Sequence, residues 1–326
     1  MSSGELRVVA PAGTPEVRPG DDLAELLLGL VELQDGDVVV VTSKVVSKSE
    51  GRLRAGSREE SLADETVRVV ARRGPTTIVR TRHGLTMAAA GIDASNVAVG
   101  TIVLLPLDPD DSARRLRAAL RERTGRTVAV VVTDTAGRAW REGQTDIAVG
   151  AAGLRVLESF EGRTDAHGNP LAVTAPAVAD EIASMAELAQ GKLGGRPFAV
   201  VRGRADLVLA PDDDGTGARA LVRAEGADLF GYGAREAVVR ALAGHAADRA
   251  PFGAPVDAEE LVALLTGPLA GLVHEVADED GEVVVRPIAG AEQSVRALAF
   301  AHGWQEADPG TVADSSACLR LVPATP

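Results

Sequence analysis

The sequence predicts a mixed α/β protein, and three observations carry that prediction. Two runs, Asp37–Thr42 (DVVVVT) and Val128–Thr133 (VAVVVT), are short, apolar and β-branched, as strands buried on both faces are. The segments Asp22–Leu30, Asp110–Arg123 and Ala177–Gln190 read instead as helices, the last strongly amphipathic. Aromatic residues make up 2% of a chain that is 45% hydrophobic, so Ala, Val and Leu must fill the core.

Taken in order, Leu6–Ala10 reads as a first strand broken at Pro11, and Asp22 as the N-cap of a helix through Leu30. After the Asp37–Thr42 strand, Ser61–Arg72 has helical spacing, Thr77–Thr81 reads as a strand and Thr101–Leu105 as another. The helix Asp110–Arg123 leads into the Val128–Thr133 strand. Leu154–Phe160 fits a strand or a helix, and the stretch around His167 reads as a polar hairpin followed by Leu171–Thr174. Phe198–Arg202 is a strand, and Asp206–Arg219, with Asp212, Asp213 and Asp214, a solvated connection rather than a calcium loop. Ala250–Pro255 carries the Pro/Gly punctuation of a linker. The expected domains are therefore residues 1–249 and a small α+β appendage, residues 256–326, with a helix, a strand at Glu282–Arg286, a helix at Gln293–Ala301 and a strand at Cys318–Leu321.

Composition narrows the functions. A net charge of -13 argues against a nucleic-acid groove, which needs a basic field, while leaving room for a local nucleotide pocket. The lone Cys318 excludes an intrachain disulfide and a cysteine-rich zinc site. No apolar run approaches the roughly 20 residues that span a bilayer, and residues 1–10 lack a signal pattern. A soluble, cytoplasmic protein without a membrane partner is expected.

The chemistry gathers around Val128–Gly150 (VAVVVTDTAGRAWREGQTDIAVG). Asp134 is expected where the buried strand ends, followed by Thr135, Arg138, Arg141, Gln144 and Asp146. Ligands of open sheets collect beyond the carboxyl ends of strands, where an Asp-Thr pair can hold a metal. A cap at Asp134 is the competing explanation. Ser43, Lys44, Ser47 and Lys48 after the other buried strand can meet phosphates, although no P-loop pattern is present. Asp93 and Asn96 form an Asx-turn pattern, or else Asp93 is a second carboxylate for the ion at Asp134. Lys192 and Arg196 lie in a glycine-rich turn that could close over phosphates or simply end a helix.

Together TSKVVSKSEGR, AAAGIDASNV, TDTAGRAWREGQTDIAVGAAG, AVADEIASMAELAQGK and AVVRG closely resemble the coenzyme F420-0:L-glutamate ligase family, over residues 5–245. The likeness extends to the ligase part of the actinobacterial bifunctional enzymes. The resemblance implies a two-lobed α/β ligase fold, usually a homodimer, that adds L-glutamate to F420-0 in γ-linked amide bonds through an acyl phosphate. It implies GTP as co-substrate, Mg²⁺ or Mn²⁺, two ions per site, and a place for K⁺.

By motif position, the resemblance makes Asp93, Asp134 and Thr135 metal ligands. It makes Thr14, Pro15, Glu16, Val17, Ser43, Lys48, Asn96, Gln190, Gly191, Lys192, Leu193, Gly194, Gly195, Arg196 and Pro197 the GTP site. Lys48 is the expected cationic catalyst beside Asp93 and Asp134. Arg138, Arg141 and Gln144 are assigned to acidic substrate groups on charge alone. Two departures stand out. Lys192 occupies a position where archaeal relatives carry an oxygen-bearing side chain near the second metal. Residues 256–326 are too few for the flavin-binding reductase domain of the bifunctional enzymes, so no flavin is expected. The competing readings are a nucleotide-binding regulatory protein and a metal-dependent phosphohydrolase.

Overall fold

Alternating valines organise the first part of the chain. In β2 (Val38–Thr42), Val39 and Val41 enter one core while Val38 and Val40 enter another, and all four are essentially inaccessible. A strand with side chains alternating between two buried faces lies in the middle of a layered sheet. The structure, a computed structural model, describes residues 4–224, 226–228, 230–279, 281–307 and 318–324. It divides into two compact units, Met1–Val222 and Arg223–Pro326.

The first unit begins with β1 (Arg7–Val9) and α1 (Leu23–Leu28), which Asp22 caps by accepting from the Ala24 and Glu25 amides. After β2 the chain turns at once into α2 (Ser43–Ser49). An insertion follows: β3 (Leu53–Ala55), α3 (Arg58–Glu65), β4 (Thr66–Arg73), β5 (Thr76–Thr81), β6 (Thr86–Ala88) and β7 (Thr101–Val103). β4, β5 and β6 form a three-stranded sheet, β3 pairs with β7, and Val79, Ala90, Ile92, Ile102 and Leu104 give this lobe its own core.

The chain then returns through α4 (Pro109–Thr124) to β8 (Ala129–Arg138), β9 (Arg141–Ala152), the short hairpin β10 (Arg163–Thr164) and β11 (Pro170–Leu171), α5 (Val178–Gln190) and β12 (Phe198–Arg202). The central sheet runs β1-β12-β2-β8-β9, with β2 and β8 parallel and the other neighbours antiparallel. α1 and α4 cover one face through Leu27, Leu116 and Leu120, and α5 covers the other through Ile182 and Ala186. The fold is mixed α/β, as expected.

Three sequence readings of the first unit need correction. The helix expected over Ser61–Arg72 stops at Glu65, and Thr66–Arg73 is strand β4. Thr66, Val67, Val69 and Val70 are β-branched, and β5 offers them a ladder, so pairing wins over helical spacing. The strand expected to end at Thr133 continues to Arg138, because β9, not foreseen, pairs with it from Val130 to Arg138. Asp134 therefore lies inside a strand. Leu154–Phe160 is neither strand nor helix apart from a bridge between Leu154 and Val208. The Asp212–Asp214 connection is exposed but gripped: buried Arg117 donates to the carbonyls of Leu209, Ala210 and Asp213 and to the Asp214 carboxylate.

The second unit contains α6 (Ala234–Ala243), α7 (Ala258–Thr266), β13 (Val273–Glu279), β14 (Glu282–Pro287), α8 (Glu292–Ala301), β15 (Trp304–Glu306) and β16 (Leu319–Pro323). Its antiparallel sheet, ordered β13-β14-β16-β15, packs Val283, Val285 and Leu321 against Leu261, Leu265 and Val295. The stretch expected as a linker belongs within this unit: Phe252 meets Tyr232 and Phe300 edge-on, and the Gln293 amide donates to the Leu242 carbonyl. No described helix is long and apolar enough to cross a membrane.

Candidate functional site

The parallel pair builds the centre of the site. Thr42 of β2 lies opposite Thr133 of β8, so the next residues, Ser43 and Asp134, are neighbours. The Ser43 hydroxyl donates to Asp134 Oδ1 at 3.1 Å. Asp134 retains some exposure yet lies deep among protein atoms. Desolvation is the main cause that pushes its pKa from 3.8 up to about 7, against the Ser43 hydrogen bond and with help from the Asp146 and Asp93 charges. Three carboxylates thus crowd a region where, among the described residues, no hydrogen bond or ion pair brings a cationic side chain to Asp134.

Asp93 arrives from the insertion on a tight turn. Ala89 and Ala90 take left-handed φ values of 49° and 54°, a strained choice for alanine. The turn sets Gly91 against the site: a Cβ there would stand 3.2 Å from Asp134 Oδ2 and 2.9 Å from the Leu105 side chain. Asp93 accepts from the Ser95 amide and hydroxyl, the expected Asx-turn, and pairs with Lys44 at 2.6 Å. Burial works to raise its pKa, but the Lys44 and Ser95 bonds outweigh it and hold the carboxyl below its ordinary value.

Thr135 is the junction between Asp134 and the 190–197 loop. Its hydroxyl donates to Asp146 Oδ1 at 2.7 Å and accepts from Lys192 Nζ at 2.7 Å. Lys192 stands in the exposed turn that follows Gly191, whose φ of 63° ends α5. The far end of the loop is stitched back to the sheet, where the Thr42 amide donates to the Pro197 carbonyl. Gln190, 5% exposed, holds an Nε2 without a hydrogen-bond partner among the described residues, and the buried Thr14 Oγ1 is in the same condition.

Lys48 is 5% exposed and already engaged: it donates to Glu16 Oε1 at 2.5 Å and to the Asn96 carbonyl at 2.8 Å. That contact joins the Thr14–Val17 turn, α2 and the Asp93–Asn96 turn, with Val17 anchored in the core. Arg138, Arg141 and Gln144 instead lie exposed on the outer β8–β9 hairpin, where Arg138 donates to the Glu142 carbonyl. Four residues of strand put Arg138 about 13 Å from Asp134 along β8. Sequence reasoning placed Lys44 among the phosphate contacts and Asp146 in the polar series of the site, but foresaw neither as the partner of Asp93 and of Thr135; the place of Asp146 depends on the unforeseen β9.

Among the described residues no cluster of three or more His, Cys, Asp or Glu side chains is arranged as a metal cage. A divalent ion that shares its shell with substrate phosphates and water needs only one or two carboxylates. Asp134 and Asp93 are oxygen donors of that kind, and the crowding of negative charge at Asp134 favours a hard divalent cation such as Mg²⁺ or Mn²⁺. Thr135, the next residue of β8, turns its Oγ1 to Asp146 and Lys192.

The family model described as F420-0:Gamma-glutamyl ligase matches residues 12–63 and 57–203. The chain is 42% identical over 219 residues to a protein of Archaeoglobus fulgidus named coenzyme F420:L-glutamate ligase, covering 61% of this chain and 88% of that protein. Proteins of the same name from Methanopyrus kandleri and Methanothermobacter thermautotrophicus are 40% and 35% identical over 240 and 251 residues. Those alignments cover 66% and 69% of this chain and 93% and 98% of the relatives.

Proposed function

The chain belongs to the F420-0:gamma-glutamyl ligase family, and we propose that it joins L-glutamate to coenzyme F420-0 in an amide bond driven by GTP. The observation that supports this reading best is the meeting of three distant segments. The Thr42–Thr133 register sets Ser43 on Asp134, and Lys192 of the 190–197 loop reaches Thr135 beside them.

Amide formation needs an activated carboxylate. In the proposed sequence a carboxylate oxygen of F420-0 attacks the γ-phosphorus of GTP, GDP leaves and an acyl phosphate forms. The glutamate amine then attacks the acyl carbon, inorganic phosphate leaves and the nitrogen loses a proton. Mg²⁺ or Mn²⁺, held by Asp134, Asp93 and Thr135, would neutralise charge on the phosphates. Thr14 Oγ1 and Gln190 Nε2 offer unused hydrogen-bonding atoms to the nucleotide. An incoming phosphate would compete with Glu16 for the Lys48 ammonium, and Lys192 would follow its loop onto the phosphates. Arg138, Arg141 and Gln144 on the exposed hairpin would meet acidic substrate groups.

The test is an omission assay with purified protein, GTP and Mn²⁺. Sustained GDP release, beyond one equivalent per site, should require F420-0 and L-glutamate together. Sustained release without glutamate would favour a phosphohydrolase, and GTP binding without turnover a regulatory protein; either result would overturn the proposal.

A further inference from the structure

Asp146 has no role in the reading above, yet it is a carboxylate only 4% exposed. A carboxyl group so deeply buried is costly unless its oxygens are satisfied. Thr133 and Thr135 point to the same face of β8, and Thr135 lies directly opposite Asp146 of β9. Both hydroxyls therefore reach one carboxylate: Thr133 Oγ1 donates to Oδ2 at 3.1 Å and Thr135 Oγ1 to Oδ1 at 2.7 Å. The backbone is fixed as well. Ser184 of α5 donates to the Asp146 carbonyl at 3.0 Å and shares a 2.8 Å hydrogen bond with Thr145.

We propose that Asp146 is a positioning residue, which commits the Thr135 hydroxyl hydrogen and so turns the Thr135 Oγ1 lone pairs toward a cation. A threonine hydroxyl has one hydrogen to give and two lone pairs to offer. Asp146 Oδ1 accepts that hydrogen, so it is spent there, and Oγ1 keeps only its acceptor lone pairs for other partners. Lys192 Nζ uses it in that way at 2.7 Å. A divalent ion that displaced the Lys192 ammonium would meet the same lone pairs. Partners behind a metal ligand typically govern affinity about 10- to 100-fold. The inference rests on the proposal that Asp134 and Thr135 hold the metal.

The experiment titrates the full chain with Mn²⁺ and follows the free ion by electron paramagnetic resonance. Asp134→Asn, Asp146→Asn, Thr135→Val and Thr135→Ser are compared with the unsubstituted protein. Asp146→Asn keeps the side-chain shape but brings an amide donor, which makes one threonine accept. Its Mn²⁺ affinity should fall about 10- to 100-fold while its metal-free unfolding midpoint stays near that of the parent. Thr135→Val should show the same loss, and Thr135→Ser, which keeps the hydroxyl, should not. Unchanged Mn²⁺ affinity in Asp146→Asn overturns the proposal. So does unchanged affinity in Thr135→Val, a test that holds even if Asp146→Asn fails to fold. Full Mn²⁺ affinity in Asp134→Asn would instead remove the metal site itself, and this inference with it.

Discussion

Asp134 is the residue on which the site turns. Desolvation and neighbouring carboxylates make its negative charge unfavourable without a cation, while Ser43 holds it in place. Asp134→Asn should abolish glutamate transfer and leave the circular dichroism spectrum unchanged; near-normal transfer at saturating Mn²⁺ would remove Asp134 from the metal site. Lys48 makes a different prediction, since its ammonium is buried against Glu16 and Asn96. If it also meets phosphate, Lys48→Ala loses a charge-assisted hydrogen bond of about 1.5–3 kcal/mol. Calorimetry should then show GTP binding weakened by roughly 10- to 150-fold, with glutamate binding less affected. Asp134 and Lys48 were legible because each stands just past a recognisable buried strand. Asp146 stood out only as one of a polar series; its bonds to threonines 11 and 13 residues away were not legible, because they form only through hairpin pairing.

At the scale of elements, the strands with valine runs and the capped helices followed directly from the sequence. Asp22 shows how local that information is: it caps α1 and also pairs with Arg123 at the end of α4. The Arg123 hydrogen bond, followed by the Glu25 amide, holds its carboxyl below 3.8. A carboxyl with a depressed folded pKa stabilises above its unfolded value, and that contribution fades as pH falls through the folded one. Asp22→Ala should therefore cost about 1 kcal/mol at neutral pH. Urea unfolding should show the gap closing as pH drops below 3.8. A gap that persists in strong acid would mean that the carboxylate charge is not what stabilises. β9 was illegible for a tertiary reason. Its outer half, Arg141–Gln144, is polar and exposed, and its inner half, Ala148–Ala152, is buried, so neither half alternates like an isolated strand. The 66–73 strand was misread because Leu62, Val67 and Val70 satisfy a helical period, and only β5 shows why the chain extends there.

For the whole molecule, the expected boundary at Ala250–Pro255 rested on punctuation, whereas the compact division falls at Val222. The difference is physical. Phe252 packs with Tyr232 and Phe300, and Gln293 holds the end of α6, so residues 223–255 share a core with those that follow. A protein ending at Val222 should fold and retain Mn²⁺ binding and glutamate transfer, because every proposed site residue lies between Thr14 and Pro197. One ending at Gly253 should aggregate more readily, having lost Phe300 and α8. Light scattering and the ligation assay check both, and an inactive but folded 1–222 protein would show that the second unit completes the site.

The central claim is that one site couples GTP cleavage to amide formation. The most direct measurement incubates the full chain with F420-0, L-glutamate, GTP and Mn²⁺, then counts glutamyl residues on the product by mass spectrometry and GDP by chromatography. The account predicts one GDP for each amide bond formed, at every time point. GDP accumulating while F420-0 keeps its original mass would contradict it.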